Sequence, residues 1–493
     1  MCDIQSQLQE IVPRAAIYKG TNKSIDSTVH KTEYVTYPSN LSHVLEIGST
    51  SSEQKVHFHI SGNCLLDGKN SYFSIQLKTN KWTSCLSGDI SSLFKRLTIT
   101  LPSSGNQILE DIQEYNVLSS MIQYMSGSDE DLETNWYSGQ SSMIGNTREE
   151  NMETSRLEMN WNAGTDGWRT YTFSLNLSGL LQHSLYLPLF LLNGIKIELT
   201  MSSALEALHW DPSNESDWES VLRAVNHRFT LSEDDIDGMD GSDTISQQLK
   251  SVYRRENPDD TSNSLTYTIR HFTFHANVIW ASSEYMDRLR EGVNSSKGLS
   301  LFFDTYRFNI IQPESPYVQF SFTEQLQNLR TVLMCTLMDS HRFAQNQHST
   351  NFFSSHINNF TFRIGSRIFH RVDNTQPALS YVNTLIAMNR FNRYRANSVT
   401  FKNYNRERNV HVFNFERVIG DHETHSGVDT RDGKLLRLEL QFKNDPLVEL
   451  IRKDSSVVST IRRGYSYNEV KVYAFLRFAR MVNISGAGIG VSE

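Results

Sequence analysis

The stretch LTITLPSSGNQILEDIQEYNVLSSM, residues 97–121, holds the succession of patterns that decides the fold class. Its first residues alternate between apolar and polar side chains, and an alternation of period two is typical of a half-buried β-strand. After the turn SSGNQ, apolar side chains recur at helical spacing, and the set consists of Ile108, Ile112, Tyr115, Ile122 and Met125. The stretch predicts a strand, a turn and a helix, with Glu110 and Asp111 complementing the dipole in the first helical turn.

Alternation continues on both sides of this stretch and predicts a series of strands in the first half of the chain. The segments are KVHFHI (55–60), YFSIQLK (72–78), TYTFSLNL (170–177), LYLPLF (185–190), IKIELTM (195–201) and YTIRHFTFHANVIW (267–280). Polar insertions at 126–167 and 203–262 interrupt them. Loops of this length inside a domain usually carry function.

The second half repeats the order of the first. After SSEYMDRLREGVNSSKG, residues 282–298, which reads as a short helix and a connector, the strand patterns begin again. The strands and the helix of this half are SLFFDTYRFNI (300–310), YVQFSF (317–322), RTVLMCTLM (330–338), FTFRIGSRIFHRV (360–372), the helical NTQPALSYVNTLIAM (374–388), VFNFERV (412–418), KLLRLELQF (434–442) and VKVYAFLRFARMV (470–482). In both halves a helix with Tyr and Asn near its middle follows a strand and a turn. This repetition predicts two tandem β-sandwiches.

Composition narrows the class of protein. The chain has 493 residues, enough for two domains, and aromatic residues, which suit the pleated surface of sheets, make up 11% of it. The net charge of -8 argues against direct condensation of nucleic acid, which requires a basic excess. The four cysteines, Cys2, Cys64, Cys85 and Cys335, are scattered and suit free thiols in a reducing compartment. We find no signal-peptide pattern, so we expect a soluble protein made inside a cell.

Three motifs resemble chemical sites but lack parts of them. His57 and His59 form an HxH pair on a strand, as in cupin metal sites, but only Asp67 follows as an acidic side chain. SEDDIDGMDGSD (232–243) lacks the Gly and Glu positions of an EF-hand loop, which leaves a solvated acidic loop or a weaker cation site. GAGIG (486–490) has no helix after it to hold a phosphate. We predict no catalytic, cofactor-binding or metal-binding residue and no cofactor.

The stretch NRFNRYRANSVTFKNYNRERN, residues 389–409, interleaves basic and aromatic side chains. That composition suits a platform for single-stranded nucleic acid. A subunit contact is favoured instead, because the whole chain is acidic, and no specific nucleic-acid binding is expected. The predicted inter-subunit contacts pair basic and acidic side chains, namely Arg393, Arg395 and Arg406 with Asp234, Asp235 and Asp237.

Four segments carry a resemblance to a known family. They are ILEDIQEYNVLSSM (108–121), SGLLQHSLYLPLFLLNGIKIELTM (178–201), YTIRHFTFHANVIWASSEYMDRL (267–289) and SGVDTRDGKLLRLELQF (426–442). In their order along the chain they resemble the double jelly-roll major capsid proteins of virophages, polinton-like viruses and related eukaryotic DNA viruses. The resemblance spans about residues 55–485. It implies an all-β fold of two tandem eight-stranded jelly-roll β-sandwiches with long inserted loops and short helices.

We divide the chain accordingly. The predicted parts are an N-terminal arm (1–50), jelly roll 1 (51–281) with its two insertions, a connector helix (282–299) and jelly roll 2 with a C-terminal tail (300–493). The resemblance implies that the insertions form the outer tower of a capsomer. It also implies that both chain ends lie on the inner side of a shell.

The resemblance implies a structural protein and not an enzyme. Three chains would form a pseudo-hexagonal homotrimeric capsomer of an icosahedral shell, located in the virion and assembled inside the host cell. Its implied partners are neighbouring capsomers, a penton protein, minor capsid or cement proteins and, in some members, an internal membrane. Ile484, Gly486 and Gly488 resemble an adenovirus-type maturation cleavage site. The alternative function is a two-domain β-sandwich enzyme or sugar-binding protein of the bicupin kind.

Overall fold

The structure is a computed structural model. It describes residues 29–41, 43–49, 53–80, 85–126, 168–183, 186–209, 265–294, 298–338, 352, 357–373, 377–388, 401–404, 409–416, 427–431, 435–442, 447–454, 457–464, 470–486 and 488–492.

In the described part of the chain, twelve strands lie within residues 29–281. They are β1 (Val29–Pro38), β2 (Leu45–Ile47), β3 (Lys55–Ile60), β4 (Leu65–Thr79), β5 (Cys85–Leu86), β6 (Phe94–Leu101), β7 (Gln107–Gln113), β8 (Arg169–Phe173), β9 (Leu187–Pro188), β10 (Ile195–Met201), β11 (Leu208–His209) and β12 (Tyr267–Ala281). The helices of this half are α1 (Tyr115–Ser126), α2 (Leu189–Leu192), α3 (Ala204–Ala207) and α4 (Ser283–Asn294), with 3₁₀ turns at Ile90–Leu93 and Pro102–Ser104.

Eleven strands follow α4. They are β13 (Leu299–Ile311), β14 (Tyr317–Ser321), β15 (Leu329–Met338), β16 (Ile357–Ile364), β17 (Arg367–Asp373), β18 (Val410–Asn414), β19 (Leu436–Phe442), β20 (Leu447–Asp454), β21 (Val457–Gly464), β22 (Val470–Ser485) and β23 (Gly488–Ser492). Two helices lie among them, α5 (Pro377–Ala387) and α6 (Phe401–Tyr404).

The main strands form four antiparallel sheets of four strands each. We name them sheet 1 (order β1-β12-β4-β8), sheet 2 (β3-β10-β6-β7), sheet 3 (β13-β22-β15-β18) and sheet 4 (β14-β19-β16-β17). Sheets 3 and 4 repeat the strand order of sheets 1 and 2, strand for strand. The prediction of two tandem eight-stranded jelly rolls is therefore confirmed. Shorter strands extend the plan, because β2 and β9 join sheet 1, β23 joins sheet 3, and β5–β11 and β20–β21 form separate ribbons.

An aromatic core fills the first jelly roll. The ring of Phe58 in sheet 2 lies 5.2 Å from that of Phe73 and 5.0 Å from that of Phe272 in sheet 1, both edge-on. Each of these side chains is at most 2% exposed, and burying one contributes roughly 1.5–3 kcal/mol to folding. Their alternation with polar neighbours, visible in the sequence, is what turns one face of each strand inward.

The second jelly roll is closed in the same way. Phe413 on β18 of sheet 3 lies 5.3 Å from Phe360 and 4.7 Å from Phe362, which are both on β16 of sheet 4. Strand β19 alternates as the sequence predicted, whereas β15 is buried on both faces, as its apolar run indicated, and β18 is buried along most of its length. Within the described residues, no helix is long and apolar enough to cross a membrane.

Two expectations from the sequence are corrected by the structure. Residues 107–113 form strand β7 and not the first turns of a helix, which starts only at Tyr115. The spacing of Ile108 and Ile112 is compatible with a helix or a strand. Pairing with β6 shows that these residues form a strand. Part of the predicted arm, Val29–Pro38, is strand β1 of sheet 1, paired along its length with β12. Its exposed Thr and Tyr residues had hidden the alternation.

Candidate functional site: the seam between the two jelly rolls

The two jelly rolls meet along a seam formed by β7, the segment 174–182 and β13. Apolar side chains make one part of it, because a single cluster of buried residues runs from the first core to the outer face of sheet 3. Its members on the side of the second roll include Leu301, Phe303, Leu333, Cys335, Tyr473 and Phe475. A continuous apolar contact of this kind makes the two rolls one packed body.

A buried carboxylate stands at the centre of the seam. Glu110 on β7 is 0% exposed. The hydroxyl of Ser178 donates to it at 2.5 Å and the backbone N–H of Gly179 at 2.9 Å. Thr305 of β13 also faces this carboxyl group. Desolvation by burial raises the pKa of Glu110 to about 7, while these donors limit the rise.

Segment 174–182 can enter the seam because it contains a glycine at the closest point. A Cβ atom on Gly179 would lie 1.7 Å from the carbonyl oxygen of Asp304 on β13. Real Cβ atoms do not approach backbone that closely, so only glycine allows the two backbones to touch here. Gly68 has the same role on the first roll, where a Cβ would lie 2.4 Å from the carbonyl oxygen of Leu181.

An ion network continues the seam on β13. Asp304 accepts from Arg330 at 2.9 Å and from Arg477 at 2.6 Å. The Arg330 side chain is only 4% exposed, and Glu416 lies 3.8 Å from its Nε atom. Burying a guanidinium is costly unless carboxylates compensate its charge, so these acids hold the arginine in place.

The described residues contain one serine–histidine arrangement, and it is not accessible to a substrate. Ser380 and Tyr404 each place a hydroxyl oxygen 3.1 Å from Nδ1 of His411, beneath helix α5. The imidazole is 3% exposed, and desolvation lowers its pKa to about 3. A neutral, enclosed imidazole of this kind packs a helix on a sheet and has no room for a reacting molecule.

The HxH pair lies on the outer face of sheet 2. The rings of His57 and His59 are 5.2 Å apart and edge-on. Desolvation, together with the nearby Lys196, lowers the pKa of His57. No group of three His, Cys, Asp or Glu side chains that could hold a metal ion was found among the described residues.

All six predicted contact residues lie outside the part of the chain that the structure describes. These are Arg393, Arg395, Arg406, Asp234, Asp235 and Asp237, and their pairing stays a prediction. The predicted cleavage-like residues are placed. Ile484 is 2% exposed near the end of β22, Gly486 lies in a turn after that strand, and Gly488 is the first residue of β23.

Sequence reasoning missed Glu110, Gly179 and Asp304 as seam residues. Glu110 was assigned to a helix, and nothing in its neighbourhood marks a buried acid. One signal was available. Successive side chains of a strand point to opposite faces, so one of the two consecutive acids Glu110 and Asp111 must face the protein interior and be compensated there.

The protonation of Glu110 gives a testable prediction. Its pKa is raised in the folded state, so its contribution to stability is full below its ordinary value of 4.5 and is lost as pH rises through about 7. The free energy of unfolding should therefore fall between about pH 4.5 and 7, by an amount on the order of 3 kcal/mol, and the unfolding temperature should fall with it. In Glu110→Gln, which resembles the protonated acid, this slope should flatten.

Scanning fluorimetry at a series of pH values measures the slope. Glu284→Gln is the matched control, because Glu284 pairs with Arg288 on the exposed face of α4, where both side chains are more than 70% exposed. It should leave the slope unchanged. Parallel slopes for the parent chain and Glu110→Gln would show that Glu110 is ionised throughout.

Comparison with known proteins agrees with the geometry. No protein-family model and no curated protein sequence matches the chain. Several solved structures do match the chain. The Faustovirus major capsid protein superposes with a TM-score of 0.55 at 8% identity, covering 98% of both chains. PBCV-1 VP54, in a structure fitted into the virophage Sputnik, gives 0.54 at 10% identity, covering 94% of this chain and 96% of that one. At such identities the likeness concerns the fold.

Proposed function

Given that the chain has the double jelly-roll fold of viral major capsid proteins, we propose that it builds the wall of an icosahedral DNA virus shell. Three chains would form a pseudo-hexagonal capsomer. The protein would then reside in the virion, after assembly inside the host cell. Neighbouring capsomers, a penton protein and minor capsid or cement proteins would be its partners, with an internal membrane beneath the shell in some cases.

The observation that supports this proposal is that the second jelly roll repeats the first and that the two pack against each other along the seam. Sheets 3 and 4 repeat sheets 1 and 2 in order, and a buried seam fixes the two units side by side. Two like units in one chain supply one third of a six-sided block. A symmetric closed assembly of three chains completes the block without leaving an unmatched surface.

The bicupin alternative has less support. A cupin site needs convergent metal ligands inside the barrel, whereas His57 and His59 point to the outer face of sheet 2, beside Lys196 and Glu198. The interiors of both rolls are filled by aromatic and aliphatic side chains. A wall protein needs this solid packing, and a small-molecule enzyme needs an opening in it.

Light scattering on the purified full-length protein tests the proposal. We expect a particle of three times the chain mass of 56.7 kDa, and negative-stain images with a hexagonal outline. A monomer that binds a divalent metal stoichiometrically would contradict the capsid proposal and favour the bicupin.

A further inference from the structure

The two hairpins that end sheets 2 and 4 repeat each other down to an irregularity. In β6–β7 the paired residues on either side of the bulge are Thr100 with Ile108 and Ile99 with Glu110, with Leu109 extra. In β16–β17 they are Arg363 with Ile368 and Phe362 with His370, with Phe369 extra. The bulge falls at the same place in both. His370 therefore occupies in the second roll the position that Glu110 occupies in the first.

The edge strands of sheets 1 and 3 can be aligned through their ladders. Across sheet 1 the paired residues are Tyr37, Phe274, Phe73 and Phe173. Across sheet 3 they are Arg307, Leu476, Val332 and Phe413. Both rows end on a core phenylalanine of the last strand. Counting back along the edge strands, Val35 corresponds to Thr305 and Tyr34 to Asp304.

These correspondences link the contact between β7 and β13, which is formed within the chain, to the edges of β17 and β1, which are open. Within the chain, β7 of the first roll lies against β13 of the second, and Glu110 and Thr305 are 0% and 1% exposed there. Like β7 and β13, the equivalent strands β17 and β1 are end strands of their sheets and pair on one side only in the described part of the chain. Their equivalent residues are less covered, and Tyr34 is 57% exposed.

We propose that the β17 edge of the second roll docks on the β1 edge of a second copy of this chain and so repeats the seam between chains. His370 would then lie beside Val35 and Tyr34 of the partner copy. The inference rests on the proposed function, because a closed trimer is what brings these edges together. To the proposed trimer, the inference adds the two strands that meet, β17 and β1, and the register in which they face each other.

The chemistry of the two seams differs. Within the chain, Glu110 accepts hydrogen bonds from the segment that follows β8. At the free edge, His370 binds the backbone carbonyl oxygen of Asn414, at the end of β18, through Nε2. Glu110 thus binds the segment that follows the end strand of sheet 1, and His370 binds the last residue of the end strand of sheet 3. The inter-chain seam therefore has a neutral imidazole where the intra-chain seam has a buried acid.

Cysteine cross-linking in the full-length chain tests the register. The variant Val35→Cys with His370→Cys places thiols at the equivalents of Thr305 and Glu110, which face each other within the chain. After oxidation, non-reducing electrophoresis should show covalent dimers and trimers and nothing larger. The native Cys64 and Cys335 are buried, and the single variants measure any background.

The matched control joins Val35→Cys to Tyr317→Cys. Tyr317 is 56% exposed on β14, at the opposite edge of sheet 4, and should give no covalent species. If the first pair fails to fold, Tyr34→Cys with His370→Cys is the second route, since Tyr34 lies on the surface. A trimer by light scattering without cross-links from either pair would overturn the docking surface and leave the proposed function standing. A monomeric parent chain would overturn both.

Discussion

Replacing Gly179 with alanine should separate the two jelly rolls or prevent folding, with a loss of at least about 3 kcal/mol in the free energy of unfolding. The added methyl group would lie 1.7 Å from the carbonyl oxygen of Asp304 and 2.7 Å from its carbonyl carbon. Both atoms belong to the backbone of β13, which is paired along its length with β22, so neither can turn aside. The seam must open instead, which exposes Glu110 to water.

Denaturant unfolding of the purified variant measures this loss. Gly292→Ala is the matched control, because nothing lies within 4 Å of a Cβ at that position in α4. Alanine in a helix there should be neutral or stabilising by up to about 1 kcal/mol. Equal stabilities for Gly179→Ala and the parent chain would mean that the segment 174–182 does not enter the seam.

The architecture was predictable where each strand has one apolar and one polar face. In β3, Val56, Phe58 and Ile60 are buried while the residues between them face outward, so the sequence pattern and the fold carry the same information. The same holds for β19 in the second roll. Repetition of these patterns in one order predicted two rolls, because each pattern depends only on neighbours along the chain.

The seam was not predictable by that route. Glu110 is buried by contacts with Ser178, Gly179 and Thr305, which lie about 70 to 200 residues away along the chain, as the numbering shows. Strand β7 was assigned to a helix for a related reason. Its apolar spacing fits either element, and only its pairing with β6 resolves the choice.

Strand β1 shows a third limit of sequence reasoning. An edge strand pairs on one side and exposes much of its other surface, so its residues include Thr32, Tyr34 and Thr36 where a central strand has aliphatic side chains. Such a strand resembles a polar arm. The β1 edge, which the proposed assembly would use, is therefore a segment with a weak sequence pattern.

Replacing Asp304 with asparagine should cost about 3–5 kcal/mol, because it removes the central carboxylate of a largely buried ion network. Asp304 accepts from Arg330 and Arg477 with the same oxygen atom. Arg330 would keep Glu416 as its remaining carboxylate, at 3.8 Å, which is too far for a strong hydrogen bond. The charge of a guanidinium that is 4% exposed would then be poorly compensated.

The control for this prediction is Asp287→Asn in α4. Asp287 pairs with Arg290 at 2.8 Å, and both side chains are about half exposed or more, at 63% and 49%. Exposed pairs contribute little, so this change should shift the stability by less than about 1 kcal/mol. Denaturant unfolding of both variants should therefore separate them by several kcal/mol. Similar small losses would mean that water reaches Arg330 and that the ion network contributes little to the stability of the second roll.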